Sequence, residues 1–177
     1  IAPGSKAFGT IENLTSQNQI FSIQSGVGTA PGNYSPVANL TWGNPNQTAS
    51  STTQTYTLQV LPNPQMQFTE TFNKTSIWHG TTNYTYVIVN ATGNSNSTGI
   101  TLACQSGDLC TNLTVSFNES NIYIEAGNTT SIEVTITVPQ YTTPTTYTGT
   151  INATTSNRNV SMTLNVTVPT DDSWTIT

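Results

Sequence analysis

The apolar positions of this chain come in short alternations. In "SIEVTITV", Ile132, Val134, Ile136 and Val138 alternate with Glu133, Thr135 and Thr137, the period of a strand with one face in a core and the other in water. "RNVSMTLNVTV" repeats the pattern: Val160, Met162, Leu164, Val166 and Val168 share one face, and Asn159, Ser161, Thr163, Asn165 and Thr167 the other. In "NLTVSFN", Leu113, Val115 and Phe117 point inward while Asn112 and Asn118 point out; in "YTGTINA", Tyr147, Ile151 and Ala153 lie opposite Asn152. Further strands are expected at "TYTLQVL", "QMQFTETF", "NYTYVIVN", "GITLAC" and "NIYIEA", separated by turn material such as "PNP", "TGNSNS", "QSGD" and "PQYTTPTT". No long 3.6-residue stripe occurs, and β-branched residues dominate the apolar clusters. The pattern predicts an all-β antiparallel β-sandwich.

The first twenty-five residues, "IAPGSKAFGTIENLTSQNQIFSIQS", fit neither a helix nor a regular strand, yet carry Ile1, Ala7, Phe8, Ile11, Leu14, Ile20, Phe21 and Ile23. These side chains are too many for a solvated tail and too irregular for an amphipathic helix. They divide the chain into an N-terminal tail, residues 1–15, and a sandwich head, residues 16–177. The tail's alternation is broken by Gly4 and Gly9, which leaves two registers open, with Ala7, Gly9 and Ile11 or Phe8, Thr10 and Leu14 as the inserted face.

Composition changes the picture in three ways. Charged residues make up only 6% of the chain, against roughly 25% in ordinary globular proteins. Its cations Lys6, Lys74 and Arg158 are too few and scattered to neutralise a phosphate backbone, so nucleic acid is excluded as a partner. With only eight acidic groups, stability should vary weakly as pH falls. Thr, Asn and Ser together supply about four residues in ten.

The N-x-[S/T] acceptor pattern falls at Asn13, Asn33, Asn39, Asn46, Asn73, Asn83, Asn90, Asn96, Asn112, Asn118, Asn128, Asn152, Asn159 and Asn165, about twice what this composition would give at random. Where strand phase can be read, at Asn112, Asn118, Asn152, Asn159 and Asn165, the asparagine faces solvent, the only face that can carry a glycan. Cys104 and Cys110, in "ACQSGDLC", enclose a turn-forming Ser-Gly-Asp; a disulfide closing a hairpin-like loop is expected, and with it export into an oxidising compartment behind a cleaved signal peptide. No apolar run is long enough to span a bilayer as a helix.

Catalytic parts are not assembled in the sequence. His79 is the one histidine and sits beside Trp78 and a Gly turn. No serine occupies a nucleophile elbow, and no Gly-rich segment fits a phosphate-binding turn. Asp171 and Asp172 are adjacent and project differently, unlike the facing pair of a glycosidase, and they lack a calcium-loop signature. Trp42, Trp78 and Trp174 could form a sugar-stacking platform, although packing roles are the commoner fate of such rings. The expectation is a protein that is not an enzyme, with no catalytic residue, no metal site and no cofactor.

From about residue 53 to 168 the order of strands resembles an immunoglobulin-like domain of prokaryotic cell-surface proteins, on "IYIEAGNTTSIEVTITVP", "TPTTYTGTINATTS" and "VSMTLNVTV". With its extension "IAPGSKAFGTIENLT", its sequon-laden sandwich and its scarcity of charge, the chain resembles the archaeal threads, glycosylated head-to-tail filaments of thermoacidophilic archaea. That resemblance implies an Ig-like, pilin-like head, abundant N-linked glycans, and polymerisation with identical subunits by donor-strand complementation, with Ala7, Phe8, Ile11 and Leu14 on the donor strand. The implied function is that of an extracellular cell-surface filament subunit serving adhesion or biofilm formation. The alternative is a monomeric secreted carbohydrate-binding module. One departure is plain in the sequence: the last strand, Val160 to Val168, is intact, whereas bacterial chaperone-assembled pilins lack theirs.

Overall fold

The computed structural model describes residue 20 and residues 28–43, 49–69 and 75–170. The tail residues 1–15, the sequons at Asn13, Asn46 and Asn73, and Asp171, Asp172 and Trp174 lie outside the described residues. The chain divides into two compact units, Ile1–Leu61 and Pro62–Thr177.

The described part of the first unit is a β-ribbon. Strand β1 (Gly32–Tyr34) leads into β2 (Val37–Trp42), and the chain returns through β3 (Ser50–Thr55) and β4 (Leu58–Val60). β2 pairs antiparallel with β3, Val37 opposite Thr55 and Trp42 opposite Ser50, and β1 pairs with β4. The two ladders are joined by Tyr56 N–H, which donates to Pro36 O at 3.0 Å. Every residue of β2 and β3 is exposed. "TYTLQVL", expected in the sandwich, belongs to this ribbon instead, where Leu58–Val60 pair with β1; Pro62 and Pro64, which lack ladder donors, separate it from the next strand.

The second unit is the expected all-β antiparallel sandwich. Its strands are β5 (Met66–Thr69), β6 (Thr75–Ser76), β7 (Thr82–Ala91), β8 (Ser97–Ser106), β9 (Thr114–Phe117), β10 (Ile122–Ile124), β11 (Thr129–Thr137), β12 (Thr145–Thr154) and β13 (Asn159–Val168), with one short helix, α1 (Asp108–Asn112), between β8 and β9. One sheet has the order β5-β7-β11-β9 and the other β10-β8-β12-β13-β6. The first-strand position is split: β5 pairs with β7 in one sheet, whereas β6 pairs parallel with β13 in the other. This exchange, and the long antiparallel pairs β7–β11 and β12–β13, are the connections of an Ig-type sandwich.

The core follows the alternation. Val87, Val89 and Ala91 of β7 and Ile132, Val134 and Ile136 of β11 face Ile100 of β8, Tyr147, Ile151 and Ala153 of β12 and Leu164, Val166 and Val168 of β13; all are buried. Among the described residues the core draws on none before Met66. Tyr147 is buried at the start of β12 and its hydroxyl donates to Thr143 O at 2.9 Å, the arrangement of the tyrosine corner in Ig-type domains. It ties the turn after β11 to the core. Sequence period identified the ring as inward but not this anchoring role.

Candidate assembly edge and glycosylation faces

Cys104 and Cys110 are bonded, as their spacing predicted. The loop they close is not a hairpin: the chain crosses from β8 in one sheet to β9 in the other through α1. Gly107 has φ +98°, and a Cβ there would stand 2.3 Å from Thr148 O, so only glycine serves. Asp108 Oδ1 accepts the Thr148 N–H at 2.6 Å, and Leu109 is fully buried. Three consecutive residues therefore fasten the crossover to β12. The bridge pins the end of β8 to α1.

The described residues include the sequon asparagines 33, 39, 83, 90, 96, 112, 118, 128, 152, 159 and 165, and none of them is buried. Asn33 and Asn39 lie on the ribbon. Asn159 is exposed and Asn165 half-buried on the outer face of β13, where Asn165 Oδ1 accepts Thr148 Oγ1–H at 2.7 Å. Asn112 ends α1, donating Nδ2–H to Asp108 O at 2.9 Å, and Asn118 Oδ1 accepts the Glu133 N–H at 3.0 Å. Asn96 cross-links two loops, giving Nδ2–H to Tyr123 Oη at 2.6 Å and accepting the Ala126 N–H at 3.0 Å. Asn152 differs: it is half-buried on the central strand β12, and its Oδ1 is enclosed with no hydrogen-bond partner. Asn83 lies at the start of β7 in the phase of buried Thr85 and Val87 but is exposed; among the described residues β5 flanks β7 only from Ile88 to Ala91.

The two outer sheet faces differ in chemistry. On the five-stranded sheet, β12 and β13 present rows of Thr, Ser and Asn, tied by contacts such as Thr146 Oγ1 to Thr167 Oγ1 at 3.1 Å. On the four-stranded sheet, Tyr84 and Tyr86 stand exposed, edge to face with centroids 6.0 Å apart. Tyr86 Oη–H donates to Glu133 Oε2 at 3.3 Å. Partial desolvation, this hydrogen bond and the negative charge of Glu133 raise the Tyr86 phenol above its ordinary 10.0.

Of the three tryptophans, Trp42 is exposed on the ribbon and Trp78 at the turn before β7. His79 has its Nδ1 enclosed without a partner in a turn where Thr81 Oγ1–H donates to Trp78 O at 2.6 Å. Among the described residues no three His, Cys, Asp or Glu side chains converge, and no helix is long and apolar enough to cross a membrane. Sequence reasoning missed the edge of β13. Among the described residues, β6 pairs in parallel with Val166 and Thr167 of it, and Ile77 N–H donates to Thr167 O at 2.9 Å.

No family model and no curated relative matches the chain. Among solved structures, it is similar to a family 123 glycoside hydrolase from Clostridium perfringens, at 15% identity and a TM-score of 0.44, over 52% of this chain and 22% of the hydrolase. It is also similar to a PapD-like domain of human CEP192, at 8% identity and a TM-score of 0.35, over 62% of this chain and 87% of that domain. The chain thus spans less than a quarter of the hydrolase.

Proposed function

We propose that the protein is the structural subunit of an extracellular surface filament, N-glycosylated over its head and polymerised head to tail by donation of residues 1–15 to a neighbouring copy, in the manner of the archaeal threads it resembles. The observation that carries this reading is a segregation of chemistries. A sandwich with a core running from Met66 to Val168 keeps all its described sequons off that core. It is preceded in sequence by a leader bearing Ile1, Ala7, Phe8, Ile11 and Leu14. Apolar side chains on a leader gain from burial, and a strand added to another subunit's sheet buries them while satisfying the backbone. Because donor and acceptor surfaces differ, the contact is heterologous and repeats into an open fibre. Adhesion or biofilm formation is the role such a fibre would serve. Deleting residues 1–15 should abolish filaments seen by electron microscopy; normal polymers from the truncated chain would overturn the proposal.

A second reading, a monomeric carbohydrate-binding module, is favoured by the exposed Tyr84–Tyr86 pair, whose ring faces can stack on sugars. It predicts retardation of the monomer in polysaccharide-loaded gels and loss of that retardation in the double variant Tyr84→Ala, Tyr86→Ala.

A further inference from the structure

A glycan on a folded domain either extends into solvent or lies along the surface beside its asparagine, and the chemistry of that surface decides between them. Strand β9 ends at Phe117, opposite Val134 of β11. Asn118 carries the ladder one step further. Its N–H donates to Glu133 O at 3.2 Å, and its Oδ1, standing where a main-chain carbonyl would, accepts the Glu133 N–H at 3.0 Å. The side chain is exposed and its amide is fixed by the oxygen, while Nδ2, the atom that carries a linked sugar, makes no hydrogen bond among the described residues. At Asn96, Asn112 and Asn128, by contrast, Nδ2 already donates to a protein acceptor.

Asn118 also stands in a row with the aromatic pair on the outer face of the four-stranded sheet. It lies beside Glu133, and Glu133 lies opposite Tyr86, so asparagine and ring are two strand spacings apart, about 10 Å. The next row is Ser116, Thr135 and Tyr84. These side chains share the outer face, since Phe117, Val134 and Val87 in the alternate phase belong to the core. Tyr86 is 47% exposed and Tyr84 60%. The bond from Tyr86 Oη–H to Glu133 Oε2 leans the ring toward β11, the side on which Asn118 lies and away from β5. The edge-to-face contact with Tyr84, at 78°, engages a single ring face of the pair.

We infer that the outer face over Glu133 and Thr135, walled by Tyr84 and Tyr86, is the seat of the N-linked glycan of Asn118 in the same chain, whose first sugars lie across the sheet with their C–H faces on the rings. This rests on the glycosylated head of the filament reading and deepens it by giving one glycan its place; it is independent of how subunits join. The chemistry matches. A pyranose has an apolar C–H face that stacks on an aromatic ring, and hydroxyls at its rim that hydrogen-bond to groups such as the Glu133 carboxylate and the Thr135 hydroxyl. A sugar linked to an amide already fixed by its oxygen loses less freedom on settling than one on a mobile side chain. The other sequon asparagine on this face, Asn90, is half-buried between Gln67 and Thr129 and stands four residues along β7 from Tyr86, about 14 Å. The ring pair therefore takes its sugar from its own chain rather than from a free polysaccharide.

Ser120→Ala tests the seat in the natively glycosylated full-length chain, because it removes the acceptor pattern of Asn118 and leaves Asn118 and its bonds to Glu133 in place. Nitration of Tyr86 by tetranitromethane, read by peptide mass spectrometry, should be about fivefold slower in the wild type than in the variant, the population shift that stacking of ordinary strength gives. Coupling supplies a second readout. Ser120→Ala should lower the melting temperature by about 3 °C in the wild-type background and by no more than about 1 °C in Tyr86→Ala, which lacks the ring. Equal nitration in the two proteins, or the same thermal loss in both backgrounds, would overturn the seat. So would glycopeptides in which Asn118 is bare while other sequons are occupied, an outcome that leaves the glycosylated head standing. Bare asparagine at every sequon would overturn that part of the filament reading as well. If an added neutral oligosaccharide slowed Tyr86 nitration in the wild type as much as in the variant, the rings would be open to free sugar, which overturns the seat in favour of the carbohydrate-binding module.

Discussion

Gly149 shows how little room the crossover leaves. It lies in the middle of β12 directly beneath α1, where an added Cβ would stand 2.9 Å from Leu109 Cβ and 3.2 Å from Cys110 Sγ. Neither neighbour can retreat, since Leu109 is fully buried and Cys110 is bridged. Gly149→Ala should therefore cost about 1–3 kcal/mol through overpacking, measurable by urea denaturation. Asn152, three residues on, makes a different case. Its enclosed, unpartnered Oδ1 places the amide lower in the sheet than its outward phase implies, so of Asn112, Asn118, Asn152, Asn159 and Asn165 it should show the lowest glycan occupancy in glycopeptide mass spectrometry. The alternation around it told which face Asn152 occupies. It carried no information on depth, because depth depends on the strands β8 and β13 that flank it. At Tyr86 the raised phenol makes the sign of the pH effect definite. The neutral form is favoured in the fold, so the stability it contributes is present below 10.0 and lost as pH rises through the raised value. Glu133→Gln should lower the ionisation midpoint in an ultraviolet phenol titration.

The elements most legible in sequence were those whose two faces differ most. β11 and β13 appear with the inward residues that the period assigned, since a one-residue slip would turn every Val and Ile of either strand to water. The crossover between Cys104 and Cys110 was legible only as a bond. Its Ser-Gly-Asp composition fits a hairpin turn equally well, and what decided otherwise was tertiary: Asp108 captures the N–H of Thr148, forty residues on, and Leu109 finds a core site. The bridge acts on the unfolded chain, closing a short loop, and should contribute roughly 2 kcal/mol. Alkylation of unreduced protein should find no free thiol, and reduction should lower the urea midpoint by the amount corresponding to that figure. The place of β13 in its sheet, between β12 and β6, was illegible for a related reason. An alternating strand looks the same whether it is central or at an edge, and only pairing distinguishes them. The sequence likewise showed "TYTLQVL" as a strand without revealing that its partner, β1, lies in the ribbon.

At the scale of the whole molecule the governing fact is the scarcity of charge. From Asn13 to Thr69 the chain carries no Asp, Glu, Lys, Arg or His, and among the described residues Arg158 is the sole Lys or Arg. Arg158 gives Nη2–H to Asn63 Oδ1 at 3.0 Å, an amide rather than a carboxylate. Cohesion thus comes from apolar burial and main-chain ladders, neither of which titrates. Acid unfolding requires carboxylates whose ionised form is stabilised by the fold, and it is driven further by repulsion among the cations that remain. Here both are limited by the number of groups available to make them. The whole chain has eight acidic side chains, and contacts such as Tyr86 Oη to Glu133 Oε2 and Asn128 Nδ2 to Glu125 Oε2 place the carboxylate as an acceptor, a role that a protonated acid retains through its carbonyl. Once all acids are neutral, only three Lys and Arg and one His remain charged besides the terminus, too sparse a set for strong mutual repulsion in 177 residues. The urea midpoint should therefore change little between pH 7 and pH 2, by an amount equivalent to no more than about 1–2 kcal/mol, where one carboxylate strongly favoured in its ionised form would by itself account for about 2.6 kcal/mol. Circular dichroism across that range, on protein with its disulfide intact, measures it directly. Cooperative loss of the β signal between pH 5 and pH 2 would show that a few carboxylates hold the sandwich together after all.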